Sequence, residues 1–265
     1  MCMTSSPIEV EIWSDIACPW CYIGKRRFEA AVAQRGAEVN ITYRSFELSP
    51  DTPADFVGHT KEYFAQQRGL PAEQVEAMLS RVTDLAADEG LHYDYDRVQH
   101  VKTQLAHQLL NFAKASGKQL ELKERLLRAY FTESEVLSNV DTLVRLAGEV
   151  GLDEAAARAA LVAGDFSDDV AADIAQAQAY GISGVPFFLI APTNPRVRGS
   201  AGAKRGVLHR PRKQHYRITR AQRRRQNDPH VPDHWSRPRK QRHRNRARAH
   251  TIRGQRRPAL HVLYS

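Results

Sequence analysis

Apolar and acidic residues alternate along Ile8-Glu9-Val10-Glu11-Ile12, the period-2 signature of a strand with one buried face. The period then lengthens. Tyr22, Ile23, Phe28, Ala31 and Val32 fall mostly at helical spacing among Lys25, Arg26, Arg27 and Glu29. A second strand is predicted over 39–48, carried by Val39, Ile41, Tyr43 and Phe46. Strand, helix and strand form a βαβ unit, whose right-handed crossover makes the two strands parallel neighbours. Pro50 and Pro53 close this region. Residues 54 to about 180 read as helices at 57–68, from Pro71 onward, 97–115, 120–131, from a cap at Asn139 or Asp141 to near Gly151, 153–163 and 167–179. The chain then turns through Gly181 and Gly184 into Val185-Pro186-Phe187-Phe188-Leu189-Ile190, an apolar strand opened by a proline.

Charge divides the chain. Residues 191–265 hold 22 Lys+Arg against 2 Asp+Glu, whereas residues 1–190 hold 17 against 28. An acidic body is joined to a very basic tail, and the two need separate readings. No apolar run is long enough to span a membrane. The first residues lack the basic and apolar regions of a secretory signal. The expected compartment is therefore the cytoplasm.

Candidate chemistry sits where the first strand gives way to the helix, at Cys18-Pro19-Trp20-Cys21. A thiol at the first helical turn faces unpaired N–H groups and the positive end of the helix dipole, which favour a thiolate. Cys21 lies one turn on, within reach of a mixed disulfide on Cys18. A zinc site would need further ligands, and only Cys2 remains, with no His pair at ligand spacing near Cys18. A structural disulfide across so short a loop removes little unfolded-chain entropy. A redox pair is the reading that survives. The Val185-Pro186 step reads as an ordinary trans proline opening an edge strand or as a cis bond, and the upstream cysteine pair tips it toward cis.

The segment Ser14-Asp15-Ile16-Ala17-Cys18-Pro19-Trp20-Cys21-Tyr22-Ile23-Gly24-Lys25-Arg26-Arg27-Phe28-Glu29 closely resembles the active-site segment of FrnE-like proteins, a cytoplasmic branch of the DsbA family of thiol–disulfide oxidoreductases. Ala106-His107-Gln108-Leu109-Leu110 resembles part of that family's helical insert, and Gly184-Val185-Pro186-Phe187-Phe188 its cis-proline loop. The resemblance implies an α/β thioredoxin fold with a large α-helical insertion. Residues 7–53 would be its first half, 54–180 the insertion, and 181–190 the cis-proline loop and strand. It implies Cys18 as attacking thiol, Cys21 as resolving thiol, and a substrate docked by Pro19, Trp20, Val185 and Pro186. Expected partners are protein or small-molecule thiols and disulfides, with no metal and no cofactor beyond the disulfide; glutathione is a candidate reductant. Related glutathione-dependent isomerases, acting on 2-hydroxychromene-2-carboxylate, generally carry serine in place of Cys18, so both cysteines favour disulfide exchange. His107 reads as a satisfied helix residue rather than a catalytic one, and Lys25, Arg26 and Arg27 as a solvated face. A Cys18 pKa between the thioredoxin value of about 7 and the DsbA value of about 3.5 is predicted.

The tail departs from the resemblance. After Ile190 the fold calls for another strand and a covering helix, yet Leu, Ile, Val and Phe make up 9 of the 75 residues from 191 to 265. Such a composition predicts disorder. One reading is an Arg-rich arm that binds nucleic acid through phosphate contacts. The other is a shifted reading frame. Codons for residues 202–210 can be chosen so that a one-base shift restores a segment like the family's final helix, and this favours the frame shift. On either reading the final strand and helix are missing or replaced.

Overall fold

The computed structural model describes residues 7–191. Cys2 and the basic tail, with its missing strand and helix, its nucleic-acid arm and its shifted frame, lie outside the described residues.

Strand β1 (Ile8–Ser14) leads into helix α1 (Pro19–Arg35), which returns to β2 (Val39–Ser45). The two strands pair in parallel from Ile8↔Val39 to Ser14↔Ser45, the register that the crossover requires. Gly36, at φ 59°, ends α1 in the left-handed conformation open to glycine. The second strand stops at Ser45 rather than continuing to residue 48.

Two short strands, β3 (Val57–His59) and β4 (Gln99–Val101), form an antiparallel pair. Helical spacing predicts helices over 57–68 and 97–115, yet Val57–His59 and Gln99–Val101 are strands. Val98 and Val101 are buried, and their spacing of three continued the apolar stripe of the helix that follows. The helices begin only after these strands: α2 is Thr60–Arg68 and α4 is Gln104–Ala115, with α3 (Ala72–Ala87) between them. Helices α5 (Gln119–Phe131), α6 (Val140–Glu149), α7 (Glu154–Ala163) and α8 (Ser167–Tyr180) follow. Asn139 caps α6 by accepting from the Thr142 N–H, and Asp153 caps α7 by accepting from the Ala156 N–H.

The chain re-enters the sheet as β5 (Phe187–Ala191), antiparallel to β1, giving the order β2-β1-β5 among the described residues. Alternation along β1 sorts its side chains to two faces. Val10 and Ile12 pack with Tyr43 and with Phe28 of α1 on one side. Trp13 packs with Ala177 of α8, Ile182 and Phe187 on the other. Helix α8 thus serves the sheet as well as the helices. Trp13 Nε1 donates to the Asp173 carbonyl at 3.1 Å, and the Asp173 carboxylate accepts from the Ser45 N–H at 2.9 Å and from Arg44. The largest apolar core lies among the helices, and Ile16, Tyr22 and Ile23 extend it to the start of α1.

Candidate active site

The turn from β1 into α1 is fixed by a buried carboxylate. Asp15 Oδ1 accepts from the Ile16 N–H at 2.6 Å and from His107 Nε2 at 3.2 Å, and Oδ2 accepts from the Leu48 N–H at 2.8 Å. Burial pushes Asp15 up, but the His107 hydrogen bond and field, with the Leu48 N–H, hold it below the usual carboxylate range. His107, wholly buried in α4, is therefore a packed partner of Asp15 beneath the motif.

The turn delivers Cys18 to the N-cap of α1, with extended backbone at φ −96° and ψ 110° and Pro19 next to it inside the helix. Cys21 follows one turn on, its N–H donating to the Cys18 carbonyl at 3.1 Å. Both thiols are free and buried, with Cys18 1% and Cys21 3% exposed. The chain crosses back to this point at Val185-Pro186, whose peptide bond is cis. The Cys18 thiol donates to the Val185 carbonyl at 3.5 Å. Gly24 permits the crossing: a Cβ there would stand 2.9 Å from Pro186 Cγ. Six residues singled out in the sequence (Cys18, Pro19, Trp20, Cys21, Val185 and Pro186) are thereby gathered at one end of α1. The Tyr93 hydroxyl joins them, donating to the Pro19 carbonyl at 2.8 Å.

The direction of the Cys18 shift runs against expectation. Burial, the hydrogen bond with Cys21 and the field of Cys21 and Asp15 raise the Cys18 thiol well above its ordinary value. Burial also pushes Cys21 up, but the Cys18 hydrogen bond, the Lys123 charge and the Ser14 hydroxyl bring it below its ordinary value. Of the two thiols, Cys21 is thus the more acidic in this arrangement. The helix dipole favours a Cys18 thiolate, but burial and the neighbouring Cys21 and Asp15 outweigh it and raise Cys18 instead of lowering it.

The basic cluster after the motif is not simply a solvated face. Lys25 is buried and donates to Glu124 and Glu29, each at 2.5 Å. Arg26 also pairs with Glu124, as does the Tyr22 hydroxyl. Arg27 pairs with Glu89 at 2.7 Å. These bonds fasten α1 to the helical region.

A cavity of about 500 Å³ opens beside Cys18. Trp20, 38% exposed, lines it. Phe64, Met78, Leu79, Tyr95 and Tyr130 make much of its wall, with Arg68, His100, Gly184 and Val185 also contributing. Cys18 lines the cavity; Cys21 is not among its lining residues. Neither Arg68, His100 nor Tyr93 carries a sequence signal that would bring it to the motif. Lys123 does carry one, as a cation inside the stripe Gln119, Leu122, Leu126, Leu127 and Tyr130.

Comparison with known proteins agrees with this architecture. The family model of the DSBA-like thioredoxin domain matches residues 9–205, and the chain belongs to that family. An uncharacterised protein of Bacillus subtilis strain 168, YwbO, is 30% identical over 199 residues, 74% of this chain and 92% of its own length. The crystal structure of a probable DsbA oxidoreductase from Streptomyces coelicolor shares 38% identity and a TM-score of 0.65, covering 69% of this chain and 80% of that one. The cytosolic disulfide reductase DsbM from Pseudomonas aeruginosa shares the fold, at a TM-score of 0.50 and 16% identity over 68% of this chain and 83% of its own. Among the described residues no helix is long and apolar enough to cross a membrane.

Proposed function

We propose that this protein is a thiol–disulfide oxidoreductase of the FrnE-like type, exchanging disulfides through Cys18 and Cys21. The observation that carries the proposal is the asymmetry of the pair. Cys18 lines the cavity and touches the Val185 carbonyl, while Cys21 is withdrawn behind it.

Acting as a reductant, Cys18 loses its proton to solvent and attacks one sulfur of a substrate disulfide. The substrate S–S bond breaks, a mixed disulfide forms on Cys18, and the first substrate thiolate leaves. Cys21, deprotonated as solvent takes up the proton, then attacks Cys18 and releases the second. The reverse sequence oxidises a dithiol. Val185 offers backbone for the substrate to pair with, Pro19 and Trp20 flank the reacting sulfur, and the cavity receives the group attached to it. The pair itself carries the electrons, glutathione is a candidate reductant, and the cytoplasm is the proposed compartment. The 38% identical DsbA-like structure supports this reading.

A redox titration in glutathione buffers, read by alkylation and intact mass, tests it. The expected result is reversible two-electron oxidation with a midpoint between about −270 and −120 mV. Cys21→Ser should accumulate a mixed disulfide on Cys18, and Cys18→Ser should abolish exchange. Undiminished turnover in Cys21→Ser would instead indicate a glutathione-dependent isomerase or transferase. Absence of an intramolecular disulfide at every poise would overturn the proposal.

A further inference from the structure

The cavity beside Cys18 selects by shape and by charge. Its volume of about 500 Å³ falls within the ~300–1,000 Å³ of small-molecule sites. Cys18 lines it and is almost wholly buried, so the cavity is the way to the attacking sulfur. A folded protein surface does not enter such a space, whereas a compact molecule does. Trp20, Leu48 and Met78 line the cavity and are also exposed, which marks them as its mouth. Leu79, Val82 and Tyr130 are buried and form an inner wall that favours an apolar body.

The polar lining is sparse and mostly committed. Asp15 has donors on both carboxylate oxygens. The Thr60 hydroxyl donates to the Val98 carbonyl at 3.0 Å. His100 meets the Thr52 hydroxyl at 3.0 Å and stacks on Tyr63. Arg68, exposed at the end of α2, differs from these. It is the only Lys or Arg among the described residues that line the cavity. Its guanidinium donates to the Ser49 hydroxyl at 3.3 Å and forms no ion pair among the described residues. Ser49 follows Leu48, whose N–H is held by Asp15 at 2.8 Å, so this cation stands on the wall that carries the turn before Cys18. Its remaining N–H groups form the planar fork that suits a carboxylate.

We propose that the cavity takes a low-molecular-weight disulfide with an aromatic body and a carboxylate, the body against the inner wall and the carboxylate on Arg68. The inference rests on the exchange reading above and narrows its substrate. The Cys18 sulfur, its proton lost to solvent, bonds to one substrate sulfur as the substrate S–S bond breaks and the first thiolate leaves. Cys21, its proton also lost to solvent, bonds to the Cys18 sulfur as the mixed disulfide breaks and the second thiolate leaves. The substrate gains two electrons, the pair loses two, and the thiolates take protons from solvent. Two molecules of a monothiol such as glutathione return the pair and leave as their own disulfide.

The test uses the reduced full-length chain and two aromatic disulfides. One is the disulfide of thionitrobenzoic acid, which carries carboxylates; the other is dithiodipyridine, which is uncharged. Each rate is divided by that of free dithiothreitol to remove the reagent's own reactivity. The expected result is a preference of about fivefold for the carboxylated disulfide, falling with added salt. Arg68→Gln should lose that preference, and Arg68→Lys should keep part of it. Naphthoate, which has no disulfide to exchange, should protect Cys18 of the wild-type protein from iodoacetamide, followed by peptide mass, and uncharged naphthalenemethanol should protect it less. Equal normalised rates for the two disulfides, or a preference that Arg68→Gln leaves intact, would overturn the inference. So would a Cys18 that naphthoate does not protect. A wild-type pair that forms no intramolecular disulfide with either reagent would instead remove the exchange reading, and the substrate assignment with it.

Discussion

Gly24 is the place where the fold of α1 and the geometry of the site meet. A Cβ at this position would lie 2.9 Å from Pro186 Cγ, 3.7 Å from Pro186 Cβ and 4.0 Å from Phe188 Cζ. The proline ring cannot swing aside as a long side chain can, so either α1 or the loop at Val185 must shift. Overpacking of this kind costs about 1–3 kcal/mol. Opposing it, alanine is favoured over glycine inside a helix by about 1 kcal/mol. Gly24→Ala should thus come out destabilised by about 1 kcal/mol. Gly148 in α6 supplies the control. A Cβ there meets only the exposed Glu154 side chain, which can rotate away, so Gly148→Ala should gain up to about 1 kcal/mol. Urea unfolding at matched m-values measures both. Because the shift separates Val185 from Cys18, Gly24→Ala should also slow disulfide exchange, whereas Gly148→Ala should not. A Gly24→Ala variant as stable as the Gly148→Ala variant would refute the claim that the Pro186 ring is seated on α1.

Three further outcomes are expected. Asp173→Ala leaves the Ser45 N–H without its acceptor and Arg44 paired with Glu11 alone, and should cost about 2 kcal/mol in chemical denaturation. Glu124→Gln removes the charge that gathers Lys25, Arg26 and Tyr22, and should cost about 1–2 kcal/mol, with a smaller loss in high salt. Burial, aided by the charge of Arg68, holds His100 down to about 4, against 6.5 in the unfolded chain. Between these values the unfolded chain binds a proton that the folded one refuses. Stability should therefore fall as pH drops from 6.5 to 4, by about 2 kcal/mol after allowing for partial solvent contact. His100→Phe, which keeps the stack on Tyr63, should flatten that slope in urea midpoints measured across the same range.

Much of the scaffold is local and was legible along the chain. The alternation at Ile8–Ile12, the cysteine pair before an amphipathic helix and a helix start at Asn139 or Asp141 depend on neighbours within a few residues. Strands β3 and β4 were not legible. Three residues are too few to establish a period, and their pairing joins Val57 to Val101 across a separation that local pattern does not encode. The sequence by itself determined which residues carry thiols, where α1 begins and which proline opens the last described strand. Tertiary structure alone decided that the two thiols differ in acidity, Cys18 raised and Cys21 lowered. Cys18 and Cys21 have nearly the same local surroundings, but folding turns one to the Val185 carbonyl and sets the field of Lys123, from a helix a hundred residues on, against the other. A thiol's acidity follows from its burial and from the charges that reach it, and those are fixed only when distant segments pack.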